Sequence, residues 1–305
     1  MKNYCLLFIL VVLLGTASAQ EFNLDSLNWE EFKGDHFIVY FNPTQDGLAV
    51  PKENSIEEAA VIMKFIKEVL DKAEVYYQNI ALDLGYPRYS EFWTWEKRVK
   101  IYIYPDNNSF LAATGQPAWS EGMADYMKKQ IVGYSRSRGF VDSILPHEMA
   151  HLVFRDFIGF KEELPLWLDE GVAQWEETSK RREMKRIIKD LYGKDSILTI
   201  SDMMSINIRN IKRKDGLYIR SIITKNGDPG VLFLNGENLV NTYYIQAVSL
   251  VGFLMEKFGS VDFTNFCRQL RDGKKFEDAL LSSYPLQIRS LEEFEKRWRE
   301  YIEEG

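Results

Sequence analysis

The chain has 305 residues, with 45 Asp and Glu against 38 Lys and Arg, a formal net charge of −7. That acidic balance lacks the basic face needed to neutralise phosphates, so nucleic acid is excluded as a general partner. Two cysteines and three histidines also exclude a disulfide-dense scaffold or a histidine-rich tract.

At the start, Lys2 precedes an apolar run of ten, CLLFILVVLL (5–14), and Ala17-Ser18-Ala19 offers a small-residue cleavage site before Gln20. Ten apolar residues are too few to cross a bilayer as a helix, so 1–19 reads as a signal peptide and the chain as exported, to the periplasm or beyond the cell. The mature chain keeps one cysteine, Cys267, so no internal disulfide can form and stability must come from a packed core. Cys267 lies in the helical pattern FTNFCRQL and is expected to be a buried small hydrophobe. No later stretch approaches the roughly 20 apolar residues of a membrane span, so the mature chain is expected to have none.

HFIVYF (36–41) alternates in β-branched and aromatic residues and predicts a strand. Ser55-Ile-Glu-Glu58 is a capping box, opening a long amphipathic helix to about Leu82. VKIYIYP (99–105) predicts a second strand ending at Pro105, and GQPAWSEGMA (115–124) a loop. QIVGYS (130–135) predicts a third strand, at a sheet edge where an extended peptide could pair. A helix is expected from about Ser143 to Phe157, with Pro146 tolerated in its first turn. From Pro165 the pattern is mostly helical: LWLDEGVAQWEE opens one helix, 241–259 forms another stopping at Gly259, and the capping box Ser290-Leu-Glu-Glu293 opens the last, to about Tyr301. Residues 208–240 read as an irregular excursion or a hairpin, and KRREMKR (180–186) as a solvated helix face.

LPHEMAH (145–151) concentrates the chemistry. His147 and His151 are four apart, so one helix face aims both imidazoles at one point, and Glu148 stands beside them. This H-E-x-x-H arrangement suits two nitrogen ligands and a general base for a metal-bound water. A catalytic zinc site needs a third protein ligand, and eighteen residues separate His151 from Glu170 in ELPLWLDEGVAQW. The small Gly171 and Ala173 beside Glu170 would let its helix approach the first closely. The third histidine, His36, reads as a structural strand residue, and Asp169 as an acidic residue of the first helical turn that could also back a ligand histidine.

H-E-x-x-H with a later Glu in W-L-x-E-G-x-A resembles the gluzincin metallopeptidases, and the mature chain is similar to secreted bacterial proteins with a peptidase-MA-like domain. The likeness is specific over 141–177, looser over 35–41, 244–259 and 290–301, and absent over 208–240. It implies an α+β, zincin-like (thermolysin-type) catalytic unit. An N-terminal lobe (20–180) would carry a small mixed sheet, the motif helix and the third-ligand helix. A mainly helical C-terminal lobe (181–305) would follow, with the site in the cleft between them. It further implies one zinc ion held by His147, His151 and Glu170, and Glu148 as base and later proton donor. In related gluzincins a tyrosine of a later helix stabilises the oxyanion. Tyr244, in Y-x-Q-x-x-S-L-V, falls there, with Tyr243 the competing choice.

The aminopeptidases of that group carry Gly-x-Met-Glu-Asn, whose Glu grips a free amine. The nearest stretch here, Glu121-Gly-Met-Ala-Asp125, lacks that carboxylate, which favours endopeptidase over aminopeptidase action on a peptide or protein substrate. The rival reading is a secreted binding or assembly protein of zincin fold with little turnover, its cleft plugged by 208–240. Hydrolysis of a non-peptide substrate would use the same residues.

Overall fold

In the computed structural model, residues 29–41, 56–86, 97–118, 120–135, 139–159, 164–211 and 216–305 are described. The signal peptide and Ser55 of the first capping box lie outside them. The described chain divides into two compact units: residues up to Leu82 with Tyr86–Asp156, and Asp83–Gly85 with Phe157–Gly305.

The first unit is built on a five-stranded sheet of β1 (Glu30–Lys33), β2 (Phe37–Phe41), β3 (Val99–Tyr104), β4 (Gly122–Asp125) and β5 (Gln130–Tyr134). The order is β1-β2-β3-β5-β4; β2, β3 and β5 run parallel and the two outer strands antiparallel. The strands expected at 36–41, 99–105 and 130–135 all form, but two details of the expectation are overturned. QIVGYS is an interior strand, flanked by β3 and β4. The edge is β4, formed by Gly122–Asp125 within the stretch read as loop. Nothing in GMAD favours a strand; pairing with β5 imposes it.

Along β5 and most of β3 both faces of the sheet are buried, which explains the near-continuous apolar run of β3. Phe37, Val39, Phe41, Val99, Ile101 and Ile103 share one face at 0 % exposure, against which α1 (Ile56–Leu84) contributes Tyr77 beside Phe37. Along α1, Ile62, Ile66, Val69 and Ala73 are buried at spacings of four and three, the single-stripe pattern of a helix on a sheet. His36 donates its backbone N–H to Glu74 of α1 (2.8 Å) and pairs its Nδ1 with the same carboxylate (2.7 Å), the structural role expected for it. On the other face Tyr102, Tyr104, Met123, Val132 and Tyr134 pack with Phe110 of α2 (Asn107–Thr114).

After β5 comes a π-helical turn, Phe140–Ile144, and then α3 (Leu145–Ile158). Pro146 has no N–H and its ring would collide with the carbonyl four residues back in an α turn. The wider turn, in which Leu145 N–H reaches Phe140 O, gives the ring that room. Near the other end of α3, Asp156 accepts from Tyr86 and from Tyr126 (3.0 Å), tying the helix to two loops of its unit.

The second unit comprises α4 (Leu166–Trp175), α5 (Arg181–Gly193), α6 (Ile200–Ser205), the hairpin β6 (Leu217–Ile223) and β7 (Pro229–Asn235), and α7 (Gly236–Phe258). It closes with α8 (Ser260–Arg271), α9 (Phe276–Ser283) and α10 (Leu291–Glu304). Of the two readings for 208–240, the hairpin forms. Gly259 ends α7 at φ +88, and the Ser290 side chain accepts Glu293 N–H (3.2 Å) at the start of α10, both as expected. Cys267 is fully buried, which pushes its thiol pKa up and keeps it protonated.

Just past α4, Glu176 is 4 % exposed, and burial first, then the Asp83 carboxylate, push it from 4.5 up to about 8. Arg181 opposes the shift, but at 3.8 Å it does not offset burial. A carboxyl with a raised pKa in the folded state makes folding take up a proton between about pH 4.5 and 8. Stability therefore falls as pH rises through that window, by at most about 5 kcal/mol, and levels off above it. Glu176→Gln is expected to flatten this slope and to melt above the wild type at pH 8.5, as read by urea titrations across the pH range.

Candidate metal centre

Helix α3 is buried on every side: Met149, Ala150, Leu152, Val153 and Phe154 are all 0 % exposed. A helix of that kind tolerates polar groups only where they have partners. Yet its first two turns carry His147, Glu148 and His151, none exposed by more than 1 %. The two imidazoles meet edge to face, with ring centroids 4.9 Å apart and Nε2 atoms 3.2 Å apart.

That separation has a chemical reading. Two nitrogens bound tetrahedrally at about 2.0–2.1 Å stand about 3.3 Å apart, close to the observed distance. Both Nε2 lone pairs can serve a cation if each ring keeps its proton on Nδ1. Ligand atoms of His147, His151 and Glu170 all lie within 4.8 Å of one another, and all three residues are buried. Among the described residues this is the group of His, Cys, Asp and Glu side chains able to hold a metal ion. Two imidazoles and a carboxylate are a donor set suited to zinc, and three protein ligands leave the fourth tetrahedral position open.

Glu148 is fully buried in the first turn of α3. Its carboxylate lies against the main chain of the edge strand: a Cβ at Gly122 would stand 3.5 Å from Glu148 Oε1 and 2.4 Å from Ile144. Glycine at 122 therefore keeps β4 close to this carboxylate, a contact without a local signal because Gly122-Met-Ala-Asp125 has no strand propensity of its own.

Glu170 sits in α4, whose residues Trp167–Trp175 are all buried. The small residue beside it does not serve the contact expected for it. A Cβ at Gly171 would fall 2.5 Å from the Ala247 carbonyl oxygen, so the close approach is to α7. Gly252 of α7 returns the contact one turn on, facing the Trp175 ring. Gly171→Ala should force α4 and α7 apart at a cost of about 1–3 kcal/mol and, by shifting Glu170, weaken metal uptake. Thermal melts with and without added zinc would read both effects.

The same packing separates the two tyrosines. Tyr243 donates its hydroxyl to Met203 O (3.2 Å), a bond that occupies it structurally. Tyr244 is fully buried one helical turn before Ala247, so it shares the side of α7 that meets α4. The other polar residues of the Y-x-Q-x-x-S pattern are also engaged. Gln246 bonds both backbone groups of Leu198 (2.5 and 3.0 Å), and Ser249 accepts from Trp298 Nε1 (3.0 Å). Asp169 is buried, 4 % exposed. Gln174, four residues after Glu170 and so on its face of α4, is 1 % exposed with neither amide atom hydrogen-bonded among the described residues. A lone glutamine one turn past a candidate ligand gives no signal in sequence.

Comparison with models of protein families and with curated proteins finds no match to this chain.

Proposed function

We propose that the protein is a zinc-dependent peptidase of gluzincin type, hydrolysing bonds within peptide chains with a metal-activated water. The observation that carries this reading is the convergence of the His147 and His151 Nε2 atoms with the Glu170 carboxylate beside the buried Glu148. Zinc bound there supplies a Lewis acid for the scissile carbonyl and lowers the pKa of a bound water. Glu148 would take the proton from the attacking water and return it to the leaving amine. Tyr244 donates its hydroxyl to the oxyanion, a role that Tyr243 cannot fill while bonded to Met203. The edge strand β4, whose Gly122 adjoins Glu148, offers main-chain groups to an extended substrate and so favours a peptide. The missing carboxylate in Glu121-Gly-Met-Ala-Asp125 favours internal cleavage.

The signal-peptide reading makes the enzyme an exported one. No described helix is long and apolar enough to cross a membrane. The test is mass spectrometry of a diverse peptide mixture incubated with the mature protein and, separately, with Glu148→Gln. Internal cuts made by the wild type alone support the proposal. No cuts by zinc-loaded wild type would sink it in favour of a binding protein.

A further inference from the structure

The stretch Trp167–Trp175 of α4 is buried throughout, yet it includes a glutamine. Gln174 is 1 % exposed, and neither its amide nitrogen nor its amide oxygen is hydrogen-bonded among the described residues. A carboxamide carries two donors and an acceptor, and sealing one from water without a partner destabilises a fold. Methionine, unbranched and of similar length, would fill the same space without that penalty. A buried amide of this kind calls for a partner beyond the packing contacts of its helix.

Neighbouring side chains of α4 are engaged elsewhere. A Cβ at Gly171 would meet the Ala247 carbonyl oxygen of α7 at 2.5 Å, and the Trp175 ring covers Gly252 of the same helix. Trp167 donates its indole N–H to Met204 Sδ of α6 (3.3 Å) and meets Phe276 of α9 edge to face at 5.6 Å. Gln174 follows Glu170 by four residues, which places it one turn on and about 40° round the helix. Helical side chains lean toward the N-terminal turn, so the Gln174 carboxamide leans toward the Glu170 carboxylate. An ionised carboxylate only accepts, so the amide NH2 is the group suited to face it.

We propose that Gln174 is a positioning residue for the metal centre. Its Nε2–H donates to the Glu170 oxygen that does not bind the ion, and so holds Glu170 as a ligand through one oxygen. A carboxylate can present one oxygen or two, and the second would crowd the position that a zinc-bound water needs. One oxygen of Glu170 with the two imidazole nitrogens of His147 and His151 leaves that fourth position open. This role rests on the zinc centre of the proposed function and not on peptide cleavage.

The test takes the mature chain, stripped by a chelator, and titrates it with zinc and, separately, with cobalt(II). Gln174→Met is expected to bind zinc about tenfold or more weaker than the wild type. In chelator its melting temperature should equal or exceed that of the wild type, because an apolar group replaces an unpaired amide. Added zinc should then raise the melting temperature less than it does in the wild type. A glutamine that only packs would not give these opposite signs. Cobalt(II) absorbs visible light more strongly with four ligands than with five. The wild-type cobalt protein should therefore be strongly coloured, and Gln174→Met paler, as the second oxygen of Glu170 binds. Gln174→Leu, of different shape, should behave as Gln174→Met does. Zinc affinity within about twofold of the wild type, with an unchanged cobalt spectrum, overturns the proposal and leaves the zinc centre standing. So does a lower melting temperature of both variants in chelator, which would assign the amide to a buried water of the fold. A wild type that takes up neither metal overturns the zinc centre itself, and the proposal with it.

Discussion

Glu148→Gln should lower peptide turnover by about 10²–10⁴-fold while leaving fold and zinc content unchanged. The substitution keeps the length and nearly the volume of the side chain, so it suits the space under Gly122 where the Glu148 carboxylate lies. It keeps a carbonyl acceptor able to orient a water, but it cannot accept a proton. If Glu148 worked only by filling space or by holding α3 against β4, the glutamine would serve equally and turnover would persist. Glu148→Asp separates the remaining possibilities, since it preserves the base and withdraws it by one methylene. Intermediate activity is expected there, from a misplaced rather than an absent proton acceptor. Steady-state rates on a cleaved peptide, with zinc measured by elemental mass spectrometry on the same samples, would decide it. Unchanged turnover in the glutamine variant would remove Glu148 from the chemistry, and with it the peptidase reading.

How much of this could be read beforehand depended on whether the signal was local. His147, Glu148 and His151 share one turn of helix, so the helical period alone brings them together. Strands β2 and β3 were legible because β-branched and aromatic residues alternate in them. The edge strand β4 was not, because Gly122-Met-Ala-Asp125 has no strand propensity of its own and acquires strand structure from β5. The strand β1, Glu30-Glu-Phe-Lys33, is a polar edge with the same deficit. The hairpin does alternate, but its apolar residues face outward, and reading alternation as burial would have pointed the wrong face at the core. Tyr243 and Tyr244 are adjacent and chemically identical, so only the Met203 carbonyl tells them apart. The size of Gly171 predicts a close helix contact but not its partner, which is α7 at Ala247 and not α3, since sequence does not say which helix a small residue admits.

Removing a single ligand should have consequences of a different kind from removing the base. His147→Ala or Glu170→Ala is expected to weaken zinc binding by about 3–4 kcal/mol, on the order of 10²–10³-fold, if three protein ligands share a binding free energy of about 10 kcal/mol or more. Turnover then fails because the ion is missing, and raising free zinc should restore part of it, which no zinc concentration does for Glu148→Gln. Stability supplies an independent readout. An ion that binds only the folded chain stabilises it by RT ln(1 + [L]/Kd), about 2.7 kcal/mol at a hundredfold excess over Kd. A chelator should therefore lower the melting temperature of the wild type and of Glu148→Gln alike, and leave His147→Ala nearly unmoved. The signs distinguish this from a purely structural histidine pair. Were His147 and His151 held only by a hydrogen bond between their Nε2 atoms, chelation would change nothing in the wild type, and His147→Ala would simply melt earlier at every zinc concentration. A chelator-sensitive wild type beside a chelator-insensitive variant requires instead that the 3.2 Å gap between the rings, together with the Glu170 carboxylate, be a place where a metal ion sits.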